Sequence, residues 1–429
     1  MIAYEEALKI VLKNITTLEA EEKSLLKCTG QVLAEEIYSD YRLPQTDISG
    51  PDGYAVRSAD IRGAGRNKPA TLRIIGTVRA GQVPVRTLKP GTAMRIMTGA
   101  IVPQGADCVV RFEDTDEPEN KSGPNTANPV EVKIFVSLPP RSNIRPAGSN
   151  IEKGAHLLSK GAVLGPTQIS ALAAVGKNRV RVVRQPVVAV IATGDELIGL
   201  GKTLSPGKTY NCNTAAIVSF IKHYGGIPRV LGIARDKKDA LLAKIEKGMT
   251  ADLIITSGGV AKGDYDLLRL VMDGIGKVFF SKIKMGPGAS VAFGMIHENC
   301  QNGKGGLPVF CLAGPPFGCL INLETLVRPA LLRMQGQQQI DHPVMKATAS
   351  DSSESMIPFT FLKWTRLEDK NGQCQVGLNM QEKMGVLRAM ATANSLTMVP
   401  GGAKIRQGDL VLVLPLDWRR SQFSLGVPE

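Results

Sequence analysis

Three short segments carry residue types suited to holding anions: Thr193-Gly194-Asp195-Glu196, Ser257-Gly258-Gly259-Val260 and Ala313-Gly314-Pro315-Pro316. Consecutive glycines let backbone N–H groups close on an anion, and a helix starting just beyond adds the positive end of its dipole. Ser257-Gly258-Gly259 is therefore a candidate phosphate cradle, though the same tripeptide also serves as a plain strand-to-helix turn. Carboxylates accompany these turns: Glu196, Asp236, Asp264 and Asp266. Acids beside a phosphate repel it unless a divalent cation such as Mg2+ bridges the two. Singly, Asp264 or Asp266 reads as the N-cap of a following helix. As a set, the three turns read as a metal–phosphate site.

For the turns to meet, the elements before them must end at one rim. Residues 186–330 supply such elements. Strands are expected at Val187–Ala192, Arg229–Ala234, Asp252–Thr256, Val278–Ile283 and Val309–Leu312. Helices are expected at Asn213–Tyr224, Lys237–Lys247, Tyr265–Asp273 and Phe317–Leu332. Runs apolar on both faces, alternating with amphipathic helices, predict a parallel sheet covered on both sides. Ligands of such a sheet bind outside the carboxyl ends of its strands.

The flanks read differently. Residues 1–50 read as helical, with Ala7, Leu8, Val11 and Leu12 on one face and Leu25, Leu26, Val32 and Leu33 in a second amphipathic stretch. Residues 51–141 are short apolar runs between glycines and prolines, a small β domain, with an exposed loop expected over 114–129. Residues 142–185 return to mixed helix and strand. From 331 to 429 short strands at Phe359–Thr365, Leu396–Val399 and Leu410–Leu414 suggest a β-barrel or sandwich.

Composition narrows the function. The chain has 429 residues, 43% hydrophobic, and a formal charge of +13. No apolar run approaches the ~18 residues of a membrane span. Seven scattered cysteines without a Cys-x-x-Cys, and four distant histidines, indicate neither a disulfide framework nor a zinc knuckle. The N-terminus carries no secretory pattern, so a cytoplasmic protein is the expectation. The positive charge raises nucleic acid as a partner. Aromatic residues at 5% are too few for base stacking, and Arg179-Val180-Arg181-Val182 reads as a half-buried strand with a solvated basic face. A small, highly charged anion accounts for the sign equally well.

The sequence resembles the molybdopterin molybdenumtransferases, the MoeA family that includes the gephyrin E domain. The likeness lies in Pro51-Asp52-Gly53-Tyr54-Ala55-Val56, Met97-Thr98-Gly99-Ala100, Ala192–Leu197 and Ser257–Asp266. It extends over essentially the whole chain. It implies a four-domain homodimer. Residues 1–50 with 142–185 would form a mixed dimerisation domain, 51–141 an inserted β domain, 186–330 the α/β molybdopterin-binding domain, and 331–429 a C-terminal β domain. It implies a reaction too: adenylated molybdopterin and molybdate bind, a Mg2+-dependent step releases AMP, and molybdenum stays on the dithiolene. Carried over, Asp52 and Thr98 reach the cleft across the dimer. Glu196, Asp236 and Asp266 become metal and phosphate-site carboxylates, and Lys282 an anion-binding lysine. Thr193, Gly194, Asp195, Ser257, Gly258, Gly259 and Asp264 line the cofactor site.

Departures from the pattern accompany it. Where the family has Lys-Pro-Gly-Lys-Pro, this chain has Gly286-Pro287-Gly288-Ala289-Ser290, without either lysine. Gly148-Ser149-Asn150 lacks an acid, Ala313-Gly314-Pro315-Pro316 replaces Pro-Gly-Asn-Pro, and Arg388-Ala389 replaces a serine pair. Strand alternation puts Lys284 on the face of Gly286, about 6.5–7 Å back along the chain, where it is expected to replace a missing cation. Three readings follow: an insertase using molybdate or tungstate, a divergent paralogue binding a pterin or nucleotide anion without insertion, and a scaffold or nucleic-acid-binding protein.

Overall fold

The computed structural model describes residues 1–117, 130–258, 275–297 and 306–416. They fall into two units. The larger comprises Met1–Glu35, Gly161–Pro166 and Arg179–Glu429; the smaller comprises Glu36–Lys160 and Thr167–Asn178.

The larger unit opens with helix α1 (Tyr4–Asn14), which buries Ala7 and Val11 at i, i+4 spacing. Its centre is a six-stranded sheet built from β1 (Val187–Thr193), β2 (Ile227–Ala234), β3 (Leu253–Ser257), β4 (Gly276–Phe280), β5 (Ala292–Ile296) and β6 (Leu307–Leu312). The spatial order is β2-β1-β3-β6-β5-β4. Residues 188–193 of β1 and all of β3 are buried, so both faces are covered, as their unbroken apolar runs require. Between β1 and β2 runs α2 (Cys212–His223). Asn211 caps it by accepting from the Thr214 N–H, and Ile217, Phe220 and Ile221 face the core. Helix α3 (Lys238–Gly248) buries Leu241, Ile245 and Gly248 before β3. Helix α4 (Pro316–Asn322) follows β6 and runs through a π-helical turn at Leu323–Val327 into α5 (Arg328–Met334).

The parallel sheet is borne out for β2, β1, β3 and β6. One correction is needed. β5 pairs antiparallel to both β6 and β4, so that edge is mixed. No strand is expected from the sequence at β5, whose five buried residues form too short an apolar run to announce either a strand or its direction.

A second correction concerns residues 1–50. Beyond α1 they form short strands and a 3-10 turn at Leu25–Lys27, not a second helix. Ala20–Ser24 pairs with Arg179–Val183, and this tertiary pairing overrides the apolar spacing; Leu26 is 85% exposed. The basic strand is as expected. Arg179 and Arg181 are exposed, Val180 and Val182 buried, and Arg179 pairs with Glu22 at 3.3 Å.

The C-terminal strands close into a barrel. Thr360–Lys370 pairs with Gln373–Gly377, then Met345–Ala349, Leu410–Pro415 and Ser395–Val399, which returns to Thr360–Lys370. The smaller unit holds a five-stranded sheet in the order Cys108–Arg111, Gly53–Val56, Thr92–Ile96, Ala70–Val78, Glu131–Ile134. A Cβ on Gly53 would lie 1.9 Å from the Val110 carbonyl oxygen, so no other residue fits there. Glu117, placed by the sequence in an exposed loop, is instead held by Arg95 at 2.7 Å and by the Tyr54 hydroxyl. The rest of that loop, 118–129, lies outside the described residues.

Candidate functional site

The chain runs from β1 outward to β2, then back across β1 to β3. The switch point of the sheet therefore lies between β1 and β3, at their carboxyl ends. There the two backbones touch. Gly258 has φ +87°, and a Cβ on it would sit 2.4 Å from the Thr193 carbonyl oxygen. Gly314, just past the end of β6, lies close by: a Cβ on it would be 3.9 Å from Gly258 Cα. Three of the glycine turns picked out in the sequence thus converge on one rim.

The first turn folds its acid back over itself. Gly194 is buried with φ +149°, and a Cβ there would meet the Glu196 carboxylate at 2.5 Å. The next N–H, of Asp195, donates to Asp236 Oδ2 at 3.2 Å. Asp236 follows the end of the neighbouring strand β2, so Glu196 and Asp236 flank one peptide group. Both are exposed, and among the described residues neither has an ion-pair partner. Hard carboxylate oxygens left open to solvent suit Mg2+, which keeps several waters and takes one or two protein carboxylates plus phosphate. Among the described residues no three His, Cys, Asp or Glu side chains come close enough to hold an ion alone. Asp264, Asp266 and Gly259 lie outside the described residues.

Ser257 is 2% exposed, and its hydroxyl turns inward. It accepts from Asn213 Nδ2 at 2.6 Å and lies beside the Cys319 thiol. Burial pushes that thiol up to about 12, while the serine pulls the other way. The Gly258 N–H is spent on the Leu312 carbonyl at 3.3 Å. The serine side chain and the Gly258 N–H are therefore both engaged within the protein.

Sequence reasoning missed the residue that holds the turns together. Asn213, the second residue of α2 and 8% exposed, donates to both Ser257 Oγ and, at 2.8 Å, the Gly314 carbonyl. Its only signal was a position just inside a helix that begins at the rim, which reads as ordinary capping. Asn322 does similar work one layer out. Fully buried, it donates to the Gly288 carbonyl at 2.9 Å and accepts from the Ala313 N–H. This seats the lysine-free Gly286–Ser290 segment against the first turn of α4, where Gly288 adopts φ +97°.

Lys282 and Lys284 are both exposed, with buried Ile283 between them. Their backbones bracket Ile2: the Ile2 N–H donates to the Lys282 carbonyl and the Lys284 N–H to the Ile2 carbonyl. Lys284 borders a cavity of about 420 Å³ walled mainly by α1, the segment at 340–344 and the C-terminal barrel. In the smaller unit Asp52 and Thr98 meet directly. One Asp52 oxygen accepts from the Thr98 N–H at 2.6 Å and from its hydroxyl at 2.8 Å.

A largely parallel α/β sheet with glycine turns and open carboxylates at the carboxyl ends of its strands has the form of a small-molecule binding site. Comparison with known proteins narrows that reading. Residues 2–176 match the MoeA N-terminal region (domain I and II), and residues 189–333 match a domain described as a probable molybdopterin binding domain. A molybdopterin molybdenumtransferase of Staphylococcus epidermidis is 32% identical over 96% of this chain and 95% of its own length. One from Staphylococcus aureus is 33% identical over 94% and 92%. The crystal structure of the molybdopterin biosynthesis MoeA protein from Pyrococcus horikosii superposes with a TM-score of 0.79 at 32% identity, over 97% of this chain and 99% of that one. The chain belongs to the MoeA family of molybdopterin molybdenumtransferases, transferases of molybdenum cofactor biosynthesis.

Proposed function

We propose that this protein inserts molybdate into adenylated molybdopterin with Mg2+-dependent release of AMP, working as a cytoplasmic homodimer. The observation that carries the reading is the meeting of the Gly194–Glu196, Asp236, Ser257–Gly258 and Ala313–Gly314 turns at one rim. Mg2+ would be held by Glu196 and Asp236, with Asp266 as the third carboxylate, and would neutralise charge on the phosphoanhydride. The chain's own groups do the remaining work. Gly194 lets the Glu196 carboxylate lie flat on the loop, and the Asp195 N–H fixes the Asp236 carboxylate. Lys282 contributes a cation for an oxyanion. Asp52, oriented by Thr98, presents one carboxylate oxygen free of these two hydrogen bonds.

The test is to supply adenylated molybdopterin, molybdate and Mg2+ to the purified protein and follow AMP and metal incorporation. AMP release that disappears on chelation of Mg2+ is the expected result; no AMP above background would end the reading. A second reading draws on the packed, lysine-free Gly286–Ser290 segment. In it the protein binds a pterin or nucleotide anion without insertion, and the same assay would show tight binding with no AMP. Parallel assays with tungstate decide the oxyanion.

A further inference from the structure

The segment between β1 and α2 leaves the rim at Glu196 and comes back to it. Leu197–Ile198 pairs in parallel with Thr209–Tyr210. The Thr209 N–H donates to the Glu196 carbonyl at 3.0 Å, and the Asn211 N–H to the Ile198 carbonyl at 2.9 Å. The residue just before this ladder is Lys208, whose own N–H bonds Ser205 at 3.0 Å. Its backbone is thus tied on both sides, beside Glu196.

The side chain reaches into the rim turn. Lys208 Nζ donates to the Asp195 carbonyl at 2.7 Å, on the same residue whose N–H holds Asp236. That turn carries Asp195 and Glu196, and its Asp195 N–H bonds Asp236, yet among the described residues Lys208 forms an ion pair with none of the three. An ammonium has three hydrogens, and one carbonyl occupies one. Two donors and a full positive charge therefore remain exposed beside the turn that follows β1.

We infer that Lys208 is an anion-binding residue of this rim, contacting a phosphate oxygen of the adenylated substrate while Asp195 holds its ammonium in place. The inference rests on the phosphate-site reading above. It also supplies, from the β1 side, a cation to a rim whose Gly286–Ser290 segment has none. The hydrogens left free by the Asp195 carbonyl can each meet a phosphate oxygen, where both partners carry charge.

Binding of AMP, with and without Mg2+, by calorimetry on the full-length protein tests this. Lys208→Ala is expected to weaken AMP binding roughly 10- to 100-fold, the range for one charge-assisted hydrogen bond. Lys208→Arg is expected to stay within a few-fold of the parent, and Lys202→Ala, on the same excursion, to match it. Equal AMP affinity in the parent and Lys208→Ala would overturn the inference and leave the phosphate site standing. A parent protein that binds no AMP with Mg2+ would remove the phosphate-site reading, and the inference with it. Lys208 is exposed, so melting temperatures without AMP should agree; a drop shared by Lys208→Ala and Lys208→Arg would overturn the inference and mark a structural role instead.

Discussion

The two ends of the central sheet use acids in opposite ways. At the amino ends of β1 and β3, Asp252 is 8% exposed and fully engaged. It takes a two-pronged hydrogen bond from Arg184, one arm at 2.6 Å, and accepts from the Val187 N–H at 2.9 Å. The Asp252 hydrogen bond holds the guanidinium charged against its partial burial, and Glu19 adds a second partner. At the carboxyl ends, Glu196 and Asp236 are open to water and unpaired among the described residues. One end spends its carboxylate on stability; the other leaves its carboxylates available to a ligand. Paired, buried acids mark where the chain is fastened, and unpaired acids beside glycine turns stand where the proposed function needs a ligand.

Substitutions at either end probe this contrast. The largest effect should come from Asp252→Ala, which strands a half-buried guanidinium and the Val187 N–H. A loss of about 3 kcal/mol in urea unfolding is expected, and an unchanged midpoint would break the contrast. Next, Glu196→Gln should lower Mg2+-dependent AMP release about 100-fold, in the range seen when a metal's support is removed. Its unfolding free energy should stay within about 0.5 kcal/mol of the parent; a large stability loss would show the two ends to be alike.

Asn213→Ala should fall between the two classes. It leaves Ser257 and the Gly314 carbonyl without their donor, costing about 1–2 kcal/mol, and it should raise KM by loosening the rim. Asn213→Asp, which keeps the shape but not the donors, should not rescue it. The smallest effect concerns thiols. Burial raises the Cys319 thiol to about 12, so its reactive thiolate is scarce at lower pH. Iodoacetamide at about pH 8.5 should label exposed Cys212 and spare Cys319. Peptide mapping that finds Cys319 labelled in the folded protein would show that the rim opens.

What the sequence revealed follows the same division. The α/β core was legible because β1 and β3 are apolar on both faces and α2 and α3 alternate with them at regular spacing. The turns were legible because glycine and acid stand together at strand ends. β5 was not, since a five-residue apolar run signals neither a strand nor its direction. Residues 20–24 were read as helix because their partner, Arg179–Val183, lies some 160 positions away. Asn213, Asn322 and Lys208 act by reaching across to other elements, and such a role leaves no periodic trace. Ser257 was read by its type, whereas only its surroundings reveal that the hydroxyl points inward.

The returning excursion after Glu196 has a practical consequence. Residues 200–207 are all exposed and bend at Gly201 and Gly207, whereas the paired stems at Leu197–Ile198 and Thr209–Tyr210 fix both exits. Foreign sequence grafted between those two glycines would hang from a closed neck. A fluorophore carried there would sit a few residues from the rim and report occupancy without entering the hydrophobic interior.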